Sequence, residues 1–251
     1  MRRYISTFLG AVTTALVYCA IAMGAPAAIF TGDFTGQQAF NDPIVSPGVR
    51  SAHEHCFYGV APVNQTETEA TLKDADHTSF WDVGDNHTAV WIPCVYENGV
   101  LLQPYVGGQD RDILAYYQPI SGTECLPPEN GAQGVTHEVT WRGQLNSGTI
   151  TTAPPTNSVD GSLVLIAFFR GGRDLGVSCF PTVKTYIRFQ VGAGPIGHLT
   201  FGGPVAGVDG ASDDPAFVHL DYKYGHQDSF FRSFLDQCVI PGRACGTNPT
   251  F

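Results

Sequence analysis

Residues 183–191, VKTYIRFQV, alternate between apolar and polar side chains along their whole length. That two-residue period suits a strand with one buried face, here Val183, Thr185, Ile187, Phe189 and Val191, and winding it into a helix would scatter those side chains around the axis. Strand signals recur through the chain. Leu163–Phe169 (LVLIAFF) is a short continuous apolar run, as a strand buried on both faces would be. Thr88–Tyr96 and Val100–Val106 flank Glu97-Asn98-Gly99, a tight-turn signal because Asn-Gly tolerates positive φ. Ile113–Gln118, Val135–Trp141 and Ala216–Tyr222 are further strand candidates.

Helical periodicity is clear once. Asp228 is placed to cap a helix whose Phe230, Phe231, Phe234, Leu235 and Cys238 share a face, and Pro241-Gly242 would end it. The sequence Gly192-Ala-Gly194-Pro-Ile-Gly197 resembles a dinucleotide fingerprint, but the residues after it, with Gly202-Gly203-Pro204, cannot open the required helix. These signals predict a mainly β chain: a single-domain β-sandwich or jelly-roll-like body with one C-terminal amphipathic helix.

Residues 1–27 read as a secretory signal peptide, with Arg2-Arg3, an apolar run from Phe8 to Met23, and small residues around Ala25-Pro26-Ala27. Residues 28–251 would then be the exported domain, secreted with no stable membrane span. Removing the leader leaves 11 basic against 23 acidic residues, a net charge of −12. Such a surface repels phosphate backbones and argues against nucleic acid as a partner. Six cysteines remain, Cys56, Cys94, Cys125, Cys179, Cys238 and Cys245. Without close Cys pairs for zinc, they predict disulfides whose pairing the spacing leaves open.

Two cassettes echo each other, His53-Glu-His55-Cys-Phe-Tyr-Gly59 and His219-Leu-Asp221-Tyr-Lys-Tyr-Gly225. On strands, His53 and His55 would share a face with Phe57, and His219 and Asp221 with Phe217. The other face of the second cassette, Val218, Leu220 and Tyr222, is apolar enough to be its core side, so His219 and Asp221 are expected to project away from the core. Side by side, the cassettes would gather three imidazoles and a carboxylate. That set suits a divalent metal, or equally a general acid and base. The metal-binding cupin pattern is excluded, because Gly59 and Val60 stand where it needs Glu.

Trp81, Trp91, Trp141, Tyr105, Tyr116 and Tyr117 are candidates for stacking on sugar rings, against the ordinary role of aromatics as sandwich core. Asp74, Asp76, Asp82 and Asp85, with His77 and His87, crowd one region but lack the oxygen spacing of a calcium loop. Asn64-Gln-Thr66 and Asn86-His-Thr88 have the glycosylation pattern. Neither a G-x-S-x-G elbow nor a spared cysteine nucleophile is present.

Asp42-Pro-Ile-Val-Ser-Pro-Gly48, His53-Glu-His55 and Phe57-Tyr-Gly59 resemble the opening signature of a secreted fungal and bacterial family, domain of unknown function number nineteen-ninety-six. Trp91-Ile-Pro93, Tyr116-Tyr117 and the segment from His219-Leu-Asp221-Tyr222 to Cys238 continue the resemblance, over roughly residues 40–240. The chain departs from the family where Thr140-Trp141-Arg142-Gly143 replaces a Cys-Trp-Asp-Gly stretch and no Asp-His-x-Ser-His segment follows. The family's frequent pairing with carbohydrate-binding modules implies a polysaccharide or cell-wall target.

The expectation is therefore an exported glycan-active protein, an enzyme cleaving a polysaccharide. His53, His55, His219 and Asp221 would form its centre, Asp42 would serve as a second acid, and Arg50, Trp91, Tyr116, Tyr117 and Trp141 would contact the glycan. A divalent metal on the same His/Asp set is the open cofactor question. The rival expectations are a non-catalytic glycan-binding module and a metal-binding cell-surface protein.

Overall fold

The alternating run forms the central strand of a five-stranded antiparallel sheet. The computed structural model describes residues 28–75, 78–80, 86–105, 112–118, 131–146, 148–171, 174–177, 180–226 and 228–239. The expected signal peptide lies outside them, as do Trp81, Val106, Cys125, Cys179, Cys245 and the acidic-region residues Asp76, His77, Asp82 and Asp85.

The first sheet runs β1 (Ala28–Gly32), β7 (Ile113–Tyr117), β12 (Val183–Gln190), β11 (Ser162–Phe169), β9 (Val139–Arg142). The second runs β2 (Phe34–Ala39), β3 (His55–Gly59), β4 (Ala89–Pro93), β15 (Leu220–Lys223), β8 (Gln133–Thr136). A small sheet joins β14 (Leu199–Phe201) to the hairpin of β5 (Val95–Glu97) and β6 (Val100–Leu101), and β10 (Asn157–Ser158) pairs with β13 (Gly194–Pro195). The hairpin turns on Asn98 and Gly99, with φ 51° and 80°, as Asn-Gly predicts. Gly194 of the fingerprint-like stretch lies in that short bridge, and no helix follows.

The two large sheets pack face to face around one apolar core. Phe30, Ile113, Leu165 and Ile187 from the first meet Tyr58, Val90, Ile92 and Tyr222 from the second. The Tyr117 and Tyr222 hydroxyls hydrogen-bond across the layers at 2.9 Å, so these two core hydroxyls satisfy each other. The chain is thus mainly β and sandwich-like. The C-terminal helix, α2 (Asp228–Phe234), continues into a wider turn over Leu235–Val239 and buries Phe230, Phe231, Phe234, Leu235 and Cys238 as its periodicity predicts. No helix among the described residues is long and apolar enough to cross a membrane.

Three of the expected elements are placed differently. Val135–Trp141 is two strands in different sheets, because the chain turns at His137-Glu138, where Glu138 N–H donates to Thr136 Oγ1 and Val139 N–H to the His137 carbonyl. Ala216 and Phe217 form a single 3-10 turn, started by Pro215 and by an Asp214 side chain that accepts from Ala216 N–H at 2.9 Å. Asp228 is the first residue within α2 and pairs with Lys73 at 2.6 Å.

A second apolar cluster covers the outer face of the second sheet. Val60, Val63 and Leu72, the last on α1 (Glu69–Lys73), close over Phe57, Ala89 and Trp91. This cover controls what the functional side chains on that face can reach.

Candidate functional site

The second sheet's outer face brings the two cassettes together. On β3 and β4, Cys56, Tyr58, Val90 and Ile92 point to the core, so His55, Phe57 and Trp91 point out. Asp221 on β15 is opposite Trp91, which is opposite Phe57 on β3. Next along the sheet, His55 is opposite Pro93. Leu220 pairs with Thr136, so one further antiparallel step sets His219 beside His137, with ring centroids 5.5 Å apart.

His55 Nε2 and His219 Nε2 are 3.3 Å apart. The His53 ring lies 4.4 Å from that of His55 and 5.1 Å from that of His219. One ring nitrogen from each of the three falls within 4.8 Å of the other two. His219 Nδ1 is 3.0 Å from the Phe217 carbonyl, which can only accept, so Nδ1 holds the proton and Nε2 presents a lone pair. Asp221 Oδ2 is 3.4 Å from the same Nε2.

Gly202 and Phe217 position His53. A Cβ on Gly202 would stand 2.8 Å from His53 Cβ, and the residue's φ of 77° belongs to glycine. Glu54 N–H donates to the Gly202 carbonyl at 3.0 Å, and the Phe217 ring sits edge-on to His53 at 4.7 Å. The Cys56–Cys94 disulfide, with Cα atoms 4.9 Å apart, ties β3 to the end of β4 beside His55. Cys238 is also disulfide-bonded.

Burial sets the electrostatics. It lowers His53 to about 4, helped by His219, and lowers His55 well below its ordinary value, with His53 and His219 adding to the effect and the Asn41 backbone opposing it. Burial also lowers His219. The Phe217 carbonyl and Asp42 act against that shift and His137 acts with it. The Asp221 carboxyl is pushed well above the usual range, first by burial and then by Asp42. Near neutral pH the centre thus holds three neutral imidazoles. Among the described residues, His53 Nε2, His55 Nδ1 and both Asp221 oxygens are buried without a hydrogen bond. Several buried polar atoms around one point, lacking partners, form a site suited to a cation or a polar ligand.

Asp221 is corrected most. It lies on the non-core face as expected, but it is 0% exposed, because the Val60–Leu72 cover closes that face. It can act on a substrate only through His219 or a bound ion. Asp42 is buried beside the centre, and its Oδ1 accepts from Ile44 and Val45 N–H at 3.1 and 3.0 Å, which holds a turn together. Arg50 is at the exposed rim, 3.6 Å over the Phe40 ring and 3.6 Å from Asp209.

The expected stacking residues mostly fail. Trp91 is sealed in the second cluster against Phe57, and Trp141 and Tyr117 are in the sandwich core, so none can present a face to a sugar. Tyr116 is half-buried on the far sheet. His87 Nδ1 is 3.0 Å from the Leu72 and Lys73 carbonyls, and Asp74 ends α1, so both serve local structure. Asn86 is fully buried and closed to a glycan, whereas Asn64 is exposed.

His137 is the group that sequence reasoning missed. It is exposed, at the sheet's open edge beside His219. The pairing of β8 with β15 brings it there, and its only local signal is a His-Glu pair like that at His53-Glu54.

Residues 42–143 match the family described as Domain of unknown function (DUF1996). The match takes in Asp42, His53, His55 and His137 and ends before His219 and Asp221. No curated protein and no solved structure matches the chain.

Proposed function

We propose that this is an exported glycan-cleaving enzyme whose centre is a divalent cation held by His53, His55 and His219, with Asp221 behind it. The observation that carries the reading is the convergence of three neutral imidazoles whose ring nitrogens lie within 4.8 Å of one another. Tetrahedral ligation at about 2.0–2.1 Å separates neighbouring ligand atoms by roughly 3.3–3.4 Å. The 3.3 Å between His55 and His219 is an edge of that size. The Phe217 carbonyl fixes the His219 tautomer with Nε2 free to ligate, as outer partners of metal-bound histidines do.

Three imidazole ligands leave a coordination position for water or a substrate oxygen. His137, exposed beside His219, is the group able to carry a proton to or from substrate. The N-terminal leader pattern supports export. The family's association with carbohydrate-binding modules supports the glycan.

Calorimetric titration of the metal-stripped protein with zinc, manganese, copper and calcium tests the reading, followed by a polysaccharide panel assayed for new chain ends. One equivalent bound by the native protein, and lost in both His55→Ala and His219→Ala, is the expected result. No binding by the native protein would overturn the cation, and no cleavage by the loaded protein would overturn the enzyme.

A further inference from the structure

The outer face of the first sheet carries a second feature, away from the His–Asp centre. On β12 the outward residues are Lys184, Tyr186 and Arg188, all partly exposed. Tyr116 on β7 is opposite Lys184, and Phe168 on β11 flanks it on the other side. Val164 lies between Arg188 and Arg142. It is 0% exposed, and the flanking arginines carry apolar stems of the kind that lie along such a surface. The rings and cations interleave. Tyr116 and Tyr186 are 5.0 Å apart, Lys184 Nζ is 4.8 Å from the Tyr186 ring and 5.0 Å from Phe168, and Arg142 stands 5.6 Å over Tyr186.

Among the described residues, the acids flanking these strands have other partners. Glu138 pairs with Arg170, Asp160 accepts from Leu145 N–H and Ser162, and Asp112 accepts from Phe34 N–H. Among the described residues no carboxylate pairs with Lys184 or Arg142. In a mature chain of net charge −12, a cluster of cations among aromatic rings is a local reversal of sign.

We infer that this face binds an acidic polysaccharide, a polymer of uronic acid residues, with Tyr186 and Tyr116 against the apolar C–H faces of the sugars and Lys184 and Arg142 on their carboxylates. Rings alone would suit a neutral glycan, and cations alone any polyanion. Their alternation matches a ligand that repeats a carboxylate on every apolar ring. The site stands apart from the proposed cation centre and is independent of it.

The test is affinity electrophoresis and calorimetry of the full mature chain with polygalacturonate, with laminarin as neutral and dextran sulfate as sulfated comparison. Polygalacturonate should be bound, and laminarin not. Lys184→Gln and Tyr186→Leu should each weaken polygalacturonate binding about tenfold while leaving the melting temperature unchanged. His219→Ala should leave it intact, so that this face and the cation centre can fail separately. Absent affinity, equal binding to laminarin, unchanged affinity in both variants, or polygalacturonate binding that responds to Tyr186→Leu no more than dextran sulfate binding does would each overturn the inference.

Discussion

His55 Nε2 and His219 Nε2 lie 3.3 Å apart although 164 residues separate them in the chain. Two neutral imidazoles can share one proton at that distance, but His53 Nε2, His55 Nδ1 and both Asp221 oxygens stay buried without a partner. A cation at their centre would engage them. Zinc at a hundredfold excess over its Kd should stabilise the protein by about 2.7 kcal/mol, read as a rise in melting temperature. His219→Ala should abolish the rise. A shift that survives this substitution would mean that the ion binds elsewhere.

Asp221→Asn separates a neutral acid from an ionised one. If burial keeps the carboxyl protonated, the isosteric amide should change the metal-free stability by less than about 1 kcal/mol while weakening metal binding about tenfold. A loss of about 3 kcal/mol or more in denaturant unfolding would instead reveal a buried ion pair with His219.

Gly202→Ala should act on the centre through His53. The new Cβ would stand 2.8 Å from His53 Cβ, at a φ of 77° that costs a non-glycine residue about 1–2 kcal/mol. Gly176→Ala is the control, since it has a φ of 71° with nothing within 4 Å. Both should lose stability in thermal unfolding, Gly202→Ala more because of the added contact, and only Gly202→Ala should also lose metal affinity.

Acid should destabilise the fold through His226. This residue is fully buried between Phe230 and Tyr117 and lowered to about 3, mainly by burial. The unfolded chain takes up its proton near 6.5 and the folded chain near 3, so protons favour unfolding across that window. Stability is complete above the upper limit and falls by roughly 1.4 kcal/mol per pH unit below it for this histidine. Denaturant melts of His226→Phe should show a shallower pH dependence between pH 6 and 4. An unchanged slope would assign the acid sensitivity to other groups.

What the sequence determined by itself was local. The side chains of 183–191, the Asn98-Gly99 turn and the phenylalanines of α2 each announce their conformation, because strand, turn and helix periods depend on neighbours a few residues away. The pairing of the two cassettes was legible in part for the same reason, as His55 and Asp221 lie on β3 and β15 while His53 and His219 stand just before those strands. The tertiary structure alone decided three things. It closed Val63 and Leu72 over the outer sheet, which turned Trp91 from a stacking candidate into core and made Asp221 a buried acid. It split Val135–Trp141 between two sheets and so delivered His137 to the centre. It also gathered rings and cations from β7, β9, β11 and β12 on one far face. Burial and register are sums over strands distant in the chain, and no local period encodes them.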